Sequence, residues 1–544
     1  MESHQTEECF GREAVLALLK KRVLDLKDGY RQNVALLGHP YVGKSALLHH
    51  FVSYLKDEQV MIVYLDLEHP DFDHFARKLS FNILSQYARH HNMPALSELN
   101  VLLESLKKML PQTTAVIQDI LKHICDGKRA TAFAGLLTLP EIFSNETGCF
   151  CVMMIDEFQN LETFEIPQLF QKLGKKIMTQ TKCFYVLASS YPQRAKKILS
   201  EDLSLLFGNF EVIELEPLDA FSSRRCLETG LGEHPMSEEL KNFLIDFCAG
   251  YPLYLQILCR ELTYLSMLHQ QKEIFVPLVS QAVENAVFDR WGIISRHFEL
   301  KMMELSDGKA SRVMVDILFH LADGCNKRET LSEKLGVHNT ALKTKLQRLI
   351  DQGLIAKNGD FYYFKDKLFR YWIKFVYARR FKALDWNGSG ERTKFRDDFQ
   401  NTFALFGADA SRNPALRVMD LLHAMDEGSL ELGGRRYHLS QFRDVVPLAL
   451  QRVDGKSLQT LKATSSEQNW LIALNDSCVE EEDVNSFLEE IKKKGRKPLK
   501  CVIIALDRMD EQAKLKALEE KCWIWHREEL NALLGLFDKP GILK

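Results

Sequence analysis

Read for the spacing of apolar and polar positions, the first half of the chain alternates two kinds of segment. Short, nearly unbroken apolar runs occur at 34–37, 61–67, 150–155 and 184–188. Runs of that length suit strands buried on both faces. Between them lie stretches with helical spacing, at 46–52 and, mostly helical, between 66 and 145. Strands that alternate with helices predict an α/β fold built on a parallel sheet. A helix over 240–248 is then closed by Gly250, and Pro252 starts the next. From 313 the pattern changes. A helix at 313–321, a short helix at 329–336 and a second at 339–352, with Leu342, Leu346, Leu349 and Ile350 on one face, precede a hairpin-like 356–364. That is a helix-turn-helix with a wing. Residues 385–390, DWNGSG, read as a linker. Beyond it the spacing predicts a helix at 439–452, strands at 458–461, 470–474, 501–506 and 522–525, and helices at 482–493, 510–519 and 528–536.

Composition narrows the setting. At 544 residues the chain has room for three or four domains. No run of about 18 apolar residues predicts a membrane span, and the polar amino terminus lacks the apolar core of a secretory signal. The twelve cysteines show no paired C-x-x-C spacing, so reduced thiols in a cytoplasmic setting are expected. The net charge of −3 says nothing about partners, but its distribution does. From 343 to 382 eleven Lys/Arg stand against three Asp/Glu, and Lys343, Lys345 and Arg348 are placed to meet DNA phosphates or base edges if the helix enters a groove. A packing or protein-binding role for the winged helix is the competing expectation.

The chemistry is concentrated in Gly38-His39-Pro40-Tyr41-Val42-Gly43-Lys44-Ser45, followed by Ala46, a complete G-x-x-x-x-G-K-[ST] loop between a strand and a helix. Its glycines let backbone N–H groups converge on phosphate oxygens at the positive end of the following helix. Lys44 is expected to reach the β- and γ-phosphates and Ser45 to hold Mg²⁺. The apolar run at 150–155 ends in Asp156-Glu157. An acidic pair at the carboxyl end of a buried strand is where an open α/β sheet places ligand chemistry. Asp156 is the expected second Mg²⁺ residue and Glu157 the general base. Ser189-Ser190, at the tip of the 184–188 strand, are candidates for contacting the γ-phosphate or the lytic water, or for simple helix capping. The 66–145 stretch is a candidate lid or partner surface.

These motifs resemble a known family over about residues 8–380. Phe10-Gly11-Arg12-Glu13 resembles the hhGRE entry motif of archaeal-type ATPases of the STAND class and of origin-recognition AAA+ proteins. Ile155 to Gln159 is similar to their second acidic motif, and Cys248 to Tyr254, with Gly250 and Pro252, to the G-x-P motif of the STAND lid. Asp366 to Trp372 has a counterpart in the same family. The resemblance implies ATP as the nucleotide, Gly11 and Arg12 near the base, and Pro252 packed against the nucleotide. No guanine-reading N-K-x-D stands at a strand end. With the element spacing and the linker, it gives an order of parts: a P-loop ATPase core at 1–220 with an AAA+/STAND-type parallel sheet, a helical lid at 221–305, a winged helix at 306–382 and a C-terminal α/β domain at 390–544. Many STAND proteins carry an arginine where Ser189-Ser190 stand. No arginine finger is evident; Arg194, Arg224 and Arg225 are possible donors, and slow hydrolysis is expected without one.

The C-terminal region resembles a restriction-endonuclease-like fold, but without its chemistry. The strand where E-x-K belongs reads Ala473-Leu474-Asn475, the strand before it has no carboxylate, and Asp454 lies in a turn. An inactive nuclease-like domain is therefore expected. The function expected is an ATP-binding and slowly hydrolysing switch that couples nucleotide state to DNA binding or self-assembly. The rivals are an origin-recognition-like regulator with ATP as a structural ligand, a protein-binding signalling scaffold, and an active nuclease.

Overall fold

The computed structural model describes residues 9–68, 71–203, 210–303, 305, 309–382, 389–451, 457–466, 468–493 and 499–542. The chain divides into two compact units. One runs to Cys226 and includes Gly250–Tyr254; the other is Leu227–Ala249 with the chain from Leu255 onward.

In the first unit five strands, β1 (Asn33–Gly38), β2 (Val60–Asp66), β3 (Phe150–Asp156), β4 (Cys183–Ser189) and β5 (Phe210–Leu215), form a wholly parallel sheet in the order β2-β3-β4-β1-β5. Four of them coincide with the apolar runs, because β1, β3 and β4 are buried almost end to end. The fifth, β5, reads FEVIEL. It escaped the sequence reading because an edge strand half open to solvent alternates in polarity and carries no continuous apolar run. All strands point the same way, so the tips of β1, β3 and β4 come out on one edge of the sheet. The 66–145 stretch forms four helices, Phe72–His90, Leu99–Leu106, Pro111–Cys125 and Arg129–Thr147. Phe72, Ile83, Leu103, Ile117 and Phe133 pack with Leu37, Val63, Met153 and Leu187 in one core. This stretch is therefore the layer that covers one face of the sheet.

In the second unit, helix Arg328–Leu335, helix Asn339–Asp351 and the two-stranded wing, β6 (Ala356–Asn358) with β7 (Phe361–Tyr363), form the helix-turn-helix. The linker reading is corrected in part. Asp385 to Gly388 lie outside the described residues, but Ser389 and Gly390 open a helix, Ser389–Ala410. Its aromatic residues explain it: Phe243 meets Phe399, Phe403 and Phe406 at 5.5, 5.1 and 5.5 Å between ring centroids. On the same helix Arg392 and Arg396 neutralise the buried carboxylate of Glu284.

Next comes a hairpin, β8 (Gly428–Leu432) with β9 (Arg435–Leu439). Five strands follow: β10 (Asp444–Gln451), β11 (Ser457–Thr464), β12 (Asn469–Asn475), β13 (Leu499–Ala505) and β14 (Trp523–His526). Their order is that of the chain; β10, β11 and β12 pair antiparallel, and β12, β13 and β14 pair parallel. The helix expected over 439–452 is instead the end of β9 and the strand β10. Pro447 would break a helix interior but is tolerated on an edge strand, where β-branched Val445 and Val446 also favour extension. Helices Glu481–Lys493, Glu511–Glu519 and Arg527–Leu536 fall where the spacing put them. β12 alternates strictly, with Trp470, Ile472 and Leu474 in one core and Leu471 and Ala473 in the other.

Candidate functional site

Parallel pairing brings the phosphate loop and the acidic strand tip to the same edge. The loop between β1 and helix Lys44–Tyr54 turns on Gly43, whose φ of 92° is closed to ordinary side chains. A Cβ on Gly38 would come within 2.6 Å of the Leu215 carbonyl, so the strand exit also admits only glycine without a shift. No side chain caps the helix, which leaves its first N–H groups directed at the loop.

The Lys44 side chain is buried, and its Nζ donates to the carbonyls of Gly38 (2.9 Å) and His39 (3.0 Å). Burial lowers its pKa, against the pull of Glu157 and Asp156. Ser45 and Ala46 are exposed at the start of the helix, and His39, Pro40 and Tyr41 are half-buried above it. The Ser45 hydroxyl donates to Asp156 Oδ2 at 2.6 Å across 111 residues of sequence. Asp156 Oδ2 also accepts from the Tyr64 hydroxyl at 3.1 Å, and Oδ1 from the Glu157 N–H at 3.0 Å. Burial raises the Asp156 pKa, with Glu157 adding to it and Ser45, Lys44 and Tyr64 opposing. Tyr64 has its own pKa raised, by burial first, and its ring lies 4.3 Å from that of His49.

Glu157 takes a left-handed conformation, φ 53°, at the end of β3. Its Oε2 accepts from Gln159 Nε2 (2.7 Å) and the Ser190 N–H (3.0 Å), and its Oε1 from the Ser190 hydroxyl. Ser190 thus belongs to the site, holding Glu157. Sequence reasoning missed Tyr64 and Gln159. A signal existed for Tyr64, the one hydroxyl within the apolar run of β2. Gln159 lay inside the stretch similar to the second acidic motif, but nothing in the sequence gave it a role.

The entry motif acts from below the loop. Arg12 donates to the carbonyls of Val42 (3.1 Å) and Glu216 (2.7 Å), tying the loop to the exit of β5, and burial lowers its pKa. A Cβ on Gly11 would run into the Ser222 hydroxyl. Pro252 meets the loop too, its Cγ lying 3.5 Å from where a Cβ on Gly43 would stand; the Tyr41 and Tyr254 rings are 6.0 Å apart. Arg194 pairs with Glu162, Arg225 with Glu13 and Phe10, and Arg224 is engaged as well. None of the three is shown bonded to Ser45, Asp156 or Glu157.

In the winged-helix segment five of the eleven positive charges are paired internally. Lys367 pairs with Asp246, Arg370 with Asp538, Lys374 with Asp323, Arg379 with Asp398 and Arg380 with Glu299. Lys343 and Arg348 are exposed and Lys345 half-buried, and among the described residues none of these three side chains has a hydrogen bond or ion pair. The wing is in use elsewhere. Asp360 N–H donates to the Ser429 carbonyl (2.9 Å), and Ser429 N–H to Asp360 Oδ2 (2.8 Å). Asn358 Nδ2 donates to the Glu431 carbonyl (2.8 Å), and Glu431 N–H to Asn358 Oδ1 (2.7 Å). Phe361 is a member of the C-terminal core.

At the proposed nuclease position, Ala473 is buried in the core with Val484 and Phe487. Asn475 Nδ2 donates to Asp483 Oδ2 (3.2 Å), and its Oδ1 accepts from Ser477 N–H (3.0 Å) and hydroxyl (2.8 Å). Asp454 lies outside the described residues.

Fold and site together define a P-loop α/β protein. The sequence matches no known family model and no curated protein. Similar solved structures include a Walker-type ATPase of Pyrococcus abyssi, 16% identical over 68% of this chain and 96% of that one, with a TM-score of 0.49. Another is the ORC2 protein of Aeropyrum pernix in ADPNP–ADP complexes, 13% identical over 74% and 96%, TM-score 0.43. A third is the ORC1 protein of the same organism in complex with DNA, 13% identical over 68% and 93%, TM-score 0.34. Among the described residues no helix is long and apolar enough to cross a membrane.

Proposed function

We propose that the chain is a nucleotide-operated switch that binds ATP with Mg²⁺ at Gly38–Ser45 and hydrolyses it slowly. The observation that carries it is the 2.6 Å approach of the Ser45 hydroxyl to the Asp156 carboxylate. Two oxygen donors side by side beneath a phosphate loop suit Mg²⁺, which keeps several waters and takes few protein ligands. The ion would supply neutralisation of the phosphate oxygens. Backbone N–H groups of residues 41–46 would hold the β-phosphate, and Lys44 would exchange the Gly38 and His39 carbonyls for phosphate oxygens. Glu157 is the one other carboxylate at the β3 tip and would take the proton from the attacking water. Gly11 and Arg12 would support the loop and the base side, and Pro252 would report loop occupancy to the helix it begins. Turnover would be slow if Arg194, Arg224 or Arg225 reaches the γ-phosphate only through self-assembly.

Binding and turnover of ATP·Mg²⁺ by wild type, Lys44→Ala and Glu157→Gln test this. Lys44→Ala should lose binding, and Glu157→Gln should bind but not turn over. Equal binding by wild type and Lys44→Ala would refute it.

The hydrogen bonds of the wing favour the protein-facing form of the switch, with the winged helix serving first as an anchor for a nuclease-like but inactive C-terminal domain. A second reading, DNA binding, is favoured by the three unpaired basic side chains of helix Asn339–Asp351 alone. Replacing Lys343, Lys345 and Arg348 by alanine should then reduce the salt slope of duplex binding by about one for each phosphate that is no longer neutralised. An unchanged slope would remove DNA from the account. The setting expected remains the cytoplasm.

A further inference from the structure

We infer that Gln159 and Ser190 are positioning residues that restrain Glu157 and set a low rate of ATP hydrolysis. This rests on the hydrolase reading above and names its internal brake. Both carboxylate oxygens of Glu157 are already engaged by three donors: Gln159 Nε2, Ser190 N–H and the Ser190 hydroxyl. Hydrogen bonds to a charged acceptor are the strong ones, and inside a buried network they reinforce one another. Three donors lower the basicity of the carboxylate and leave it one acceptor site, on Oε1, with which to take a proton from water.

The arrangement is built for holding Glu157, not for packing. Gln159 is fully buried, yet among the described residues its Oε1 has no partner, so its amide is oriented by what Nε2 gives to Glu157. The reverse orientation would set the Gln159 oxygen against a carboxylate oxygen. Ser190 follows directly on β4 and uses both its main chain and its side chain on one carboxylate. The Glu157 backbone itself is left-handed, a conformation that costs a non-glycine residue energy and persists where its surroundings fix it. Asp156, one residue earlier, has a separate set of partners, Ser45 and Tyr64. The two residues are joined only through the Glu157 N–H, which donates to Asp156 Oδ1, and that main-chain bond does not involve the Glu157 side-chain partners.

In the hydrolysis step water's oxygen attacks the γ-phosphorus, its proton passes to Glu157, and the bond to the β,γ-bridging oxygen breaks to give ADP and phosphate. Restraint of Glu157 acts on the proton transfer and not on nucleotide binding. The test is steady-state ATP turnover by the full chain, with nucleotide affinity measured separately, for Ser190→Ala, Gln159→Met and Ser190→Thr. Ser190→Ala and Gln159→Met should each raise kcat about threefold to tenfold while KM and the dissociation constant stay put. Ser190→Thr keeps the hydroxyl and should stay close to wild type. Thermal unfolding of each variant reports whether it is folded, and Gln159→Met answers if Ser190→Ala is not. A fall in kcat in either folded variant, or a change confined to KM, overturns the proposal. Binding without wild-type turnover would overturn it and the hydrolase reading together, whereas turnover lost in Glu157→Gln but unmoved by the other variants would sink this inference alone.

Discussion

Gly359 should decide whether the wing and the hairpin that follows it form a permanent joint. The residue sits at φ +60°, and a Cβ there would run into the Ser429 carbonyl and come within 2.8 Å of Leu430 Cα. Both obstacles are main chain, so no side-chain rotation relieves them. Replacing Gly359 with alanine costs about 1–2 kcal/mol for the left-handed backbone alone. The collision then requires the β8–β9 hairpin to move away, and four hydrogen bonds between residues 358–360 and 429–431 depend on its position. At about 0.5–1.5 kcal/mol each, losing even two brings the total to about 3 kcal/mol. Phe361 remains in the C-terminal core and limits how far the joint opens. The measurement is hydrogen exchange over 356–363 and 428–439, in wild type and Gly359→Ala. Protection should fall about a hundredfold in both segments together, the equivalent of about 3 kcal/mol. Unchanged protection in either would refute the joint. Duplex binding provides a second reading, since a released wing would be free to reach DNA and a strengthened, salt-sensitive affinity should follow.

Two further predictions concern the acidic strand tip. Tyr64→Phe removes a hydroxyl from Asp156 without altering the ring, and should raise the Mg²⁺ concentration needed for nucleotide binding about tenfold while leaving Lys44 in place; an unchanged Mg²⁺ requirement would remove Tyr64 from the site. Asp156 has its pKa raised in the folded protein by burial, so folding favours its protonated form: its contribution to stability is fully present below the unfolded pKa and is lost as pH rises through the folded value. Asp156→Asn should therefore raise the thermal midpoint of the metal-free protein near neutral pH, with the gain shrinking as pH falls through that range. The same variant should lose the stabilisation that ATP·Mg²⁺ gives wild type. A lowered midpoint without ligand would mean the carboxylate is favourably paired as it stands.

The parallel sheet was legible because its central strands are buried on both faces and so read as unbroken apolar runs. β5 and the β8–β9 hairpin were not, since edge and hairpin strands alternate with polar residues. β10 was misread as a helix although Pro447 in the middle of the run argued against one. At the site, the loop and Asp156-Glu157 stood out because backbone geometry and charge demand those residue types in that order. Ser190 stood out as a strand-tip candidate, but its bond to Glu157 did not. Ser190 lies 33 residues away in sequence, and only the parallel pairing of β3 with β4 makes them neighbours. The excess of positive charge after 343 overstated the free charge for the same reason. Composition counts the arginines, but their acidic partners come from elsewhere in the chain.

The end of β12 offers the sharpest test of the nuclease-like reading. A metal-dependent nuclease needs a carboxylate and a lysine on one strand, two residues apart, and here those positions hold Ala473 and Asn475. Ala473 is 4% exposed and packs with Leu471, Val484, Phe487 and Ile503. Asn475 closes the turn after the strand through Ser477 and Asp483, and Asp483 in turn accepts from the Glu480 N–H at 2.9 Å. Both positions are thus given over to the fold. Restoring the motif with Ala473→Glu and Asn475→Lys would bury a carboxylate in an apolar core and break the turn, at a cost of about 3 kcal/mol or more. The double variant should unfold earlier and show no Mg²⁺-dependent cleavage of duplex DNA. Cleavage by a folded double variant would mean that the surrounding site was intact, lacking only these two side chains.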